Sequence, residues 1–470
     1  MRLNFQRLTI DLRSALSTRD KIVSTCKASN VRENRFSRSA FELHPNDVCE
    51  GALQSYLFDN LDYIVFTALK SSHWCDFQSS EGWVVYIKYL AISERSLNIS
   101  DFQLLRLLGR GGFGLVHACK KCTTGKLYAV KSMSKIRIKY MQAGNLVRSE
   151  RNLLLTIESE FIVRLHYSFS EGDTLNLVLD LMVGGDLGFH LIERGSFSTN
   201  MAKYYAARTI LGIEALHEHG IMYRDLKPDN LLMNADGETK ISDMGLATRI
   251  LPGGHTQTCG TRGYWAPEII ERDKDGVKVR YSESIDWFSL GCCLYEFLKG
   301  RSPFLTAKAK EWKSHHPSRQ SLPPVDQALL EMEPEFEREI FDSTVEDLLK
   351  GLLQKNGTTR LGSGGAHEIK EHPWFDDINW DLLVAGRMKP PFIPKKEINS
   401  FPKGVIGEFD ETKLNGVLWN EDDEKMYLNW SFTRKNTFFT EVVEFLLNQE
   451  RWGYWGHSRV KNEEMCCNLS

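Results

Sequence analysis

The 470-residue chain is 42% hydrophobic, 11% aromatic and 26% charged, and its 59 Lys and Arg against 62 Asp and Glu leave a formal charge of -3. That balance gives no whole-chain electrostatic case for nucleic acid, and no apolar run approaches the roughly 18 residues of a membrane span. Ten cysteines, scattered or paired as Cys292-Cys293 and Cys466-Cys467 without a secretory signal, read as reduced thiols of a cytoplasmic protein.

In chain order, residues 1–40 carry seven Arg and two Lys against three acids, a net +6, with six Ser and no lasting periodicity. They read as a disordered basic arm; a transit-peptide-like stretch and a segment touching acidic phospholipid are the alternatives. Residues 41–100 hold apolar clusters, Leu53 to Leu69 and Trp83 to Leu90, that fit two or three helices. The chain is long enough to bury a large core and to hold more than one unit.

After the apolar run Phe102 to Leu108 comes Gly109-Arg110-Gly111-Gly112-Phe113-Gly114-Leu115-Val116, glycines where one strand turns into the next. Lacking Cβ atoms, they let backbone amides approach phosphate groups. Flexible turns and dinucleotide loops share this spacing, but the sequence after Gly114 is strand-like and opens no helix, so the dinucleotide reading fails on context. Tyr128-Ala129-Val130-Lys131 then ends an apolar strand on a lysine suited to α and β phosphates. Glu150, in the helical pattern Leu146 to Leu154, is its natural carboxylate partner. Cys119 and Cys122 form a C-x-x-C without further ligands at zinc spacing.

Ile221-Met222-Tyr223-Arg224-Asp225-Leu226-Lys227-Pro228-Asp229-Asn230, followed by Asp243-Met244-Gly245, has the order and spacing of a phosphoryl-transfer loop. Such chemistry is positioning plus neutralisation of charge on phosphate oxygens. In that reading Asp225 orients the acceptor hydroxyl and takes its proton, and Lys227 steadies the transferring phosphate. Asn230 and Asp243 offer hard oxygen ligands to Mg2+. An isolated Arg-Asp or Asp-x-Gly is usually a turn; order and company carry the assignment. Ala266-Pro267-Glu268 closes the segment opened by Asp243, and Asp286 begins an apolar helix through Phe297. The hydrophilic stretch Lys308 to Pro334 reads as a surface insertion. Residues 376–470 carry Pro390-Pro391-Phe392-Ile393-Pro394, an acidic region and a helical-looking Glu441 to Leu447.

Together these motifs resemble the protein kinases of the group that includes cAMP-dependent protein kinase, and within it the G-protein-coupled receptor kinases. The receptor-kinase likeness rests on Met244 where they carry Leu, on Gly260-Thr261-Arg262-Gly263-Tyr264, and on Lys135 to Gln142 ahead of the Glu150 helix. It also rests on Gly407-Glu408-Phe409-Asp410-Glu411-Thr412 with Gly416, Leu418, Asp423 and Tyr427, similar to their active-site tether. The resemblance implies an α+β, bilobal kinase fold: an antiparallel N-lobe sheet with one main helix, and a mostly helical C-lobe. It places the catalytic domain at 102–375, a kinase tail at 376–455, and a partial helical RGS-like segment before it. It implies ATP and Mg2+, with Thr261 marking a serine/threonine enzyme. Asp180, Leu181 and Met182 form the adenine hinge after the gatekeeper Leu179, Val116, Ala129 and Leu232 sandwich the base, and Asp186 meets ribose. Arg360 is expected to pair with Glu268. Gln257 stands where relatives carry a phosphorylated Thr, so closure by receptor and tail is the expected control rather than a loop phosphate.

The segment before residue 100 is short for a whole RGS-homology bundle: Phe66 to Leu97 match its last N-terminal helices and Thr440 to Asn448 the returning one. Set against the resemblance, Gα contact is expected to be weakened, and neither a receptor-docking helix nor a PH domain is recognisable in the sequence, so receptor binding is also in question; a truncated sequence is the alternative explanation for the short bundle and the missing helix. Cys467-Asn468-Leu469-Ser470 fits C-a-a-X loosely, with Cys466 available for palmitate, as a device for peripheral attachment to the plasma membrane. The implied partners are protein substrates, foremost activated G-protein-coupled receptors, and the membrane surface. A same-group kinase of soluble proteins and a pseudokinase scaffold are the alternatives; intact Lys131, Glu150, Asp225, Asn230 and Asp243 argue against the scaffold.

Overall fold

The computed structural model describes residues 74–79, 96–394, 411–414, 416–434 and Thr437, Thr440 and Glu441. The basic arm, the clusters Leu53 to Leu69 and Trp83 to Leu90, tether residues 407–410, most of the expected C-terminal helix and both terminal cysteines lie outside the described residues. A five-residue helix, Trp74–Gln78, is described by itself within residues 1–88.

From residue 96 onward the chain builds the two-lobed α+β arrangement. The upper lobe is an antiparallel sheet of β1 (Phe102–Arg110), β2 (Gly114–Lys121), β3 (Leu127–Ser134), β4 (Leu165–Glu171) and β5 (Thr174–Leu179), in the order β1-β2-β3-β5-β4. Alternation along β3 sorts its residues. Tyr128 and Val130 join an outer cluster with Phe102, Cys119, Tyr167, Phe169 and Val178, whereas Ala129, Lys131 and Met133 face the opposite side. Registers Ala118↔Ala129↔Leu179 and Val116↔Lys131↔Leu177 bring the expected adenine and phosphate residues side by side. Lys131 does not end its strand, as expected from sequence, because pairing with Leu115 and Leu175 carries β3 on to Ser134.

Two helices follow, α1 (Lys135–Tyr140), capped by Ser134, and α2 (Gly144–Thr156). On α2 the positions Val147, Glu150 and Leu154 fall on one face at i, i+3 and i+7, so Glu150 is carried inward with the apolar residues. The lower lobe is organised by α3 (Leu187–Arg194), α4 (Thr199–Glu218), capped by Ser198, and α5 (Ser284–Lys299), which is buried along nearly its whole length. An all-round apolar helix of this kind belongs at the centre of a lobe. Short pairs β6 (Ile221–Met222) with β9 (Thr248–Arg249), and β7 (Leu231–Met233) with β8 (Thr239–Ile241), hold the loops between α4 and α5.

The stretch Lys308 to Pro334 is not a surface insertion. It forms α6 (Pro324–Glu331) and shorter turns, and buries Ala309, Ala328, Leu329 and Met332 in the lower-lobe core. Most of its charged residues lie outward, Asp326 being buried, and they masked this apolar face. The last described segment returns to the upper lobe, where β10 (Phe432–Thr433) pairs with β4 through Phe432↔Ser168 and Thr433↔Tyr167. Trp430 beside it is buried, donates to the Asn176 carbonyl at 3.3 Å, and its own carbonyl accepts from Arg151 of α2 at 3.0 Å.

Candidate active site

The lobes enclose a cleft of about 620 Å³, bordered above by the β1–β2 turn from Leu108 to Gly114 and by Val116. Gly111 and Gly114 exchange backbone bonds at 2.9 and 3.3 Å, closing a tight hairpin. A Cβ on Gly114 would stand 1.8 Å from the Ser132 carbonyl, so a larger residue would push β2 off β3. At Gly109 nothing lies within 4 Å of such an atom.

Behind that turn, Lys131 Nζ meets Glu150 Oε1 at 2.7 Å. Burial works to lower the lysine, but the charges of Glu150 and Asp243 overcome it and hold the ammonium above its ordinary value. Burial also pushes the Glu150 carboxyl upward, and Lys131 offsets part of that rise. Asp243 thus stands close enough to act on both partners. Its backbone is left-handed (φ 55°), a conformation tolerated by Asp, and its Oδ1 accepts from Gly245 N at 3.1 Å.

The back of the cleft is the hinge. Leu179, Asp180 and Met182 border it with Val183, while Leu181 does not. The Asp180 carboxylate also turns outward, accepting from His166, Lys240 and Arg164 N at 2.7, 2.8 and 3.1 Å. Among the described residues, the Asp180 carbonyl and the Met182 backbone groups have no hydrogen-bond partner, so they are the polar edge open to a purine. Ala129 and Val116 lie above this edge and Leu232 below. Asp186 caps α3 through a 2.7 Å bond from Phe189 N and bridges Leu232; burial raises its carboxyl, with neighbouring Asp229 adding to the rise.

The catalytic loop is held by a residue whose role sequence reasoning missed. Asp286, fully buried at the start of α5, accepts from Tyr223 N and Arg224 N at 2.8 Å each and from His217 Nε2 at 2.8 Å. This clamp supports Arg224 in a left-handed conformation (φ 71°) that a long side chain rarely adopts. Asp225 follows directly. Thr261 donates to its Oδ1 at 2.6 Å, Asn230 Nδ2 to its Oδ2 at 3.1 Å, and Lys227 Nζ lies 3.1 Å from Oδ2 and 2.8 Å from Thr261 Oγ1. These four groups thus converge, with Asp225 and Thr261 just outside the residues bordering the cleft. With its amide nitrogen committed to Asp225, Asn230 has Oδ1 as its remaining group for the cleft, next to Asp243.

Two hard oxygens without a third acid suit Mg2+, which completes its octahedron with phosphate and water oxygens. Among the described residues no group of three or more His, Cys, Asp and Glu gathers elsewhere as a metal site. The residues present therefore fit a magnesium nucleotide. A larger cavity, about 1080 Å³ around Trp287 and Gly362 to Ala366, lies apart from these groups. The expected pairing of Glu268 with Arg360 is made by two bonds of 2.6 and 2.9 Å. Met133, Val163 and Gly185 also border the cleft and carried no distinguishing sequence signal beyond apolarity or turn propensity.

Residues 102–375 match the model of the protein kinase domain. A G protein-coupled receptor kinase 2 of Caenorhabditis elegans is 38% identical over 355 residues, 74% of this chain and 48% of that protein. Beta-adrenergic receptor kinase 1 of Homo sapiens is 38% identical over 378 residues, 78% of this chain and 52% of that protein. A G protein-coupled receptor kinase 2 of Drosophila melanogaster is 36% identical over 366 residues, 76% and 49% of the two chains. The chain spans about half the length of these relatives. With the Lys131–Glu150 pair and the Asp225 cluster in place, the chain belongs to the protein kinase family, with a serine/threonine-type catalytic domain similar to that of the G-protein-coupled receptor kinases.

Proposed function

We propose that the protein transfers the γ-phosphate of ATP to serine and threonine hydroxyls of activated G-protein-coupled receptors, and so desensitises G-protein signalling. The observation that carries the catalytic part is the assembled set of Lys131 on Glu150 at 2.7 Å and Asp225 on Thr261 at 2.6 Å. The receptor part rests on the names of its relatives and on the motifs around Thr261 and Met244. Bound Mg2+ would neutralise charge on the phosphate oxygens, held by Asn230 and Asp243. Lys131 orients the nucleotide phosphates, and the glycine turn covers them. Asp225, oriented by Thr261 and Asn230, receives the proton of the acceptor hydroxyl as the hydroxyl oxygen bonds to the γ-phosphorus and the bond from that phosphorus to the β-phosphate oxygen breaks, releasing ADP, and Lys227 steadies the phosphoryl group.

Among the described residues no helix is long and apolar enough to cross a membrane. Work at a membrane would use the lipid anchor expected at Cys467, with Cys466 as second site, from a cytoplasmic pool. The test is transfer of labelled phosphate from magnesium-ATP to an activated receptor in membranes and to casein, by wild type and Asp225→Asn. Transfer to receptor well above casein, lost in the variant, supports the proposal. Casein labelling without receptor preference leaves a kinase of soluble proteins. Nucleotide binding without transfer to either would move the reading to a scaffold.

A further inference from the structure

Asp180 occupies a position in the hinge that its own side chain does not use. Its backbone N donates to the Arg164 carbonyl at 3.1 Å, and its carboxylate accepts from Arg164 N, Lys240 Nζ and His166 Nε2 at 3.1, 2.8 and 2.7 Å. Together these contacts pin the hinge to β4 and β8 from outside the cleft. Burial opposes the charge on Asp180, yet the bonds from His166 and Lys240 hold its carboxyl well below the ordinary range, so it stands as a fixed anionic anchor.

One of these contacts continues beyond the hinge. The other ring nitrogen of His166, Nδ1, lies 2.9 Å from Thr437 Oγ1. The Asp180 carboxylate can only accept, so Nε2 donates to it, while Nδ1 shares a hydrogen bond with the Thr437 hydroxyl. Thr437 belongs to a segment seated firmly on the upper lobe. Arg434 there is buried and donates to the Leu165 and Leu154 carbonyls at 2.8 and 3.0 Å and to Glu158 at 2.8 Å. Glu441, equally buried, accepts from Lys121 and Tyr167 at 2.8 and 2.6 Å and from Tyr128. The imidazole of His166 therefore bridges a docked C-terminal segment to the residue that presents the open hinge carbonyl.

We propose that His166 and Thr437 are positioning residues for nucleotide binding, making ATP affinity depend on the seating of the C-terminal segment. The inference rests on the reading of the cleft as an ATP site. Its test uses the full chain and compares wild type with Thr437→Val, His166→Ala and His166→Gln. Direct ATP binding, the KM values for ATP and for casein, kcat and the thermal midpoint are all measured.

Thr437→Val keeps shape and loses only the hydroxyl, so ATP binding should weaken by roughly two- to fivefold, and His166→Ala by about five- to tenfold. His166→Gln, whose amide nitrogen reaches toward Asp180, should recover most of that loss. In all three, kcat and the casein KM should stay within about twofold of wild type. Unchanged ATP affinity in both Thr437→Val and His166→Ala would overturn the inference. So would a fall in thermal midpoint and active fraction with normal affinity in the folded remainder, which marks a merely structural role. A wild-type chain that binds no ATP would instead remove the kinase reading itself, and the inference with it.

Discussion

Arg360→Met tests the energetic frame of the lower lobe. The guanidinium is 1% exposed and donates to Glu268 at 2.6 and 2.9 Å and to the Gln354 and Ser284 carbonyls at 3.0 Å each, with Phe288 below it. Methionine fills much of the volume but leaves the Glu268 carboxylate buried without its cation, and two carbonyls without donors. Breaking one side of a buried pair costs about 3–5 kcal/mol, a large share of a typical total stability of about 5–15 kcal/mol. At roughly 2–4 °C per kcal/mol for a domain of this size, the thermal midpoint should fall by about 6–20 °C. The double variant with Glu268→Gln should lose less than the sum of the singles by about 1–3 kcal/mol, because each change relieves the group orphaned by the other. Urea titration of the four proteins reads these values. A loss below about 1 kcal/mol in Arg360→Met, or additive losses in the double variant, would refute the reasoning.

Lys131→Met or Asp243→Asn should lower kcat by about a hundredfold or more, read by labelled-phosphate transfer; the thermal midpoint should move only a few degrees in Asp243→Asn and fall further in Lys131→Met, which leaves buried Glu150 without its cation. Full activity in either variant removes the site assignment. Burial pushes the Lys355 ammonium down to about 8 from its ordinary 10.5, so between these values the unfolded chain binds more protons than the folded one. Its contribution therefore makes stability rise with pH from about 8 toward 10.5, and urea titration should show this slope flattened in Lys355→Met. Asp229 is exposed beside Asp186, and its charge reaches Glu296, so Asp229→Ala should lower kcat/KM severalfold for peptides with a basic residue near the acceptor and little for acidic ones. Cys467→Ser should move the protein from the membrane to the soluble fraction in a sedimentation assay; no shift discards the lipid anchor.

What was legible in the sequence is what chemistry forces into a short window. Asp225, Lys227 and Asn230 share one loop, and Lys131 stands two residues after Ala129 on the same face of β3. The pairing of Lys131 with Glu150 was also readable, since helical phase puts Glu150 on the face of Val147 and Leu154. The hidden part consists of polar groups whose burial is decided by distant partners. Lys121, in a run of Lys120-Lys121-Cys122, reads as a solvated strand end, yet it is 2% exposed because Glu441 arrives from the far end of the chain. Asp286 looks like a helix-start acid and instead clamps Tyr223 and Arg224. In Lys308 to Pro334 eight charged residues, with Ser, His and Pro among them, match eight apolar ones, so composition hid a helix that buries Ala328 and Leu329.

Arg224 Nε donates to the Leu246 carbonyl at 2.7 Å, and its Nη1 reaches Gln257 Oε1 and Tyr281 Oη at 3.4 Å each. Gln257 has no hydroxyl to phosphorylate, so the cation beside it is steadied by neutral oxygens alone. Thr258 is already engaged, accepting from Lys278 at 2.6 Å and donating to the Ile269 carbonyl at 3.3 Å. Tyr281 completes the frame through the Gln257 carbonyl at 2.5 Å. The activation segment therefore reaches its geometry without an added charge at position 257. The long-range charged contacts of the upper lobe come instead from the C-terminal segment, through Glu424 on Lys135, Arg434 on Glu158 and Glu441 on Lys121. Trp430 and Arg434 of that segment meet α2 at the Arg151 side chain and the Leu154 carbonyl, so the segment braces the helix that carries Glu150.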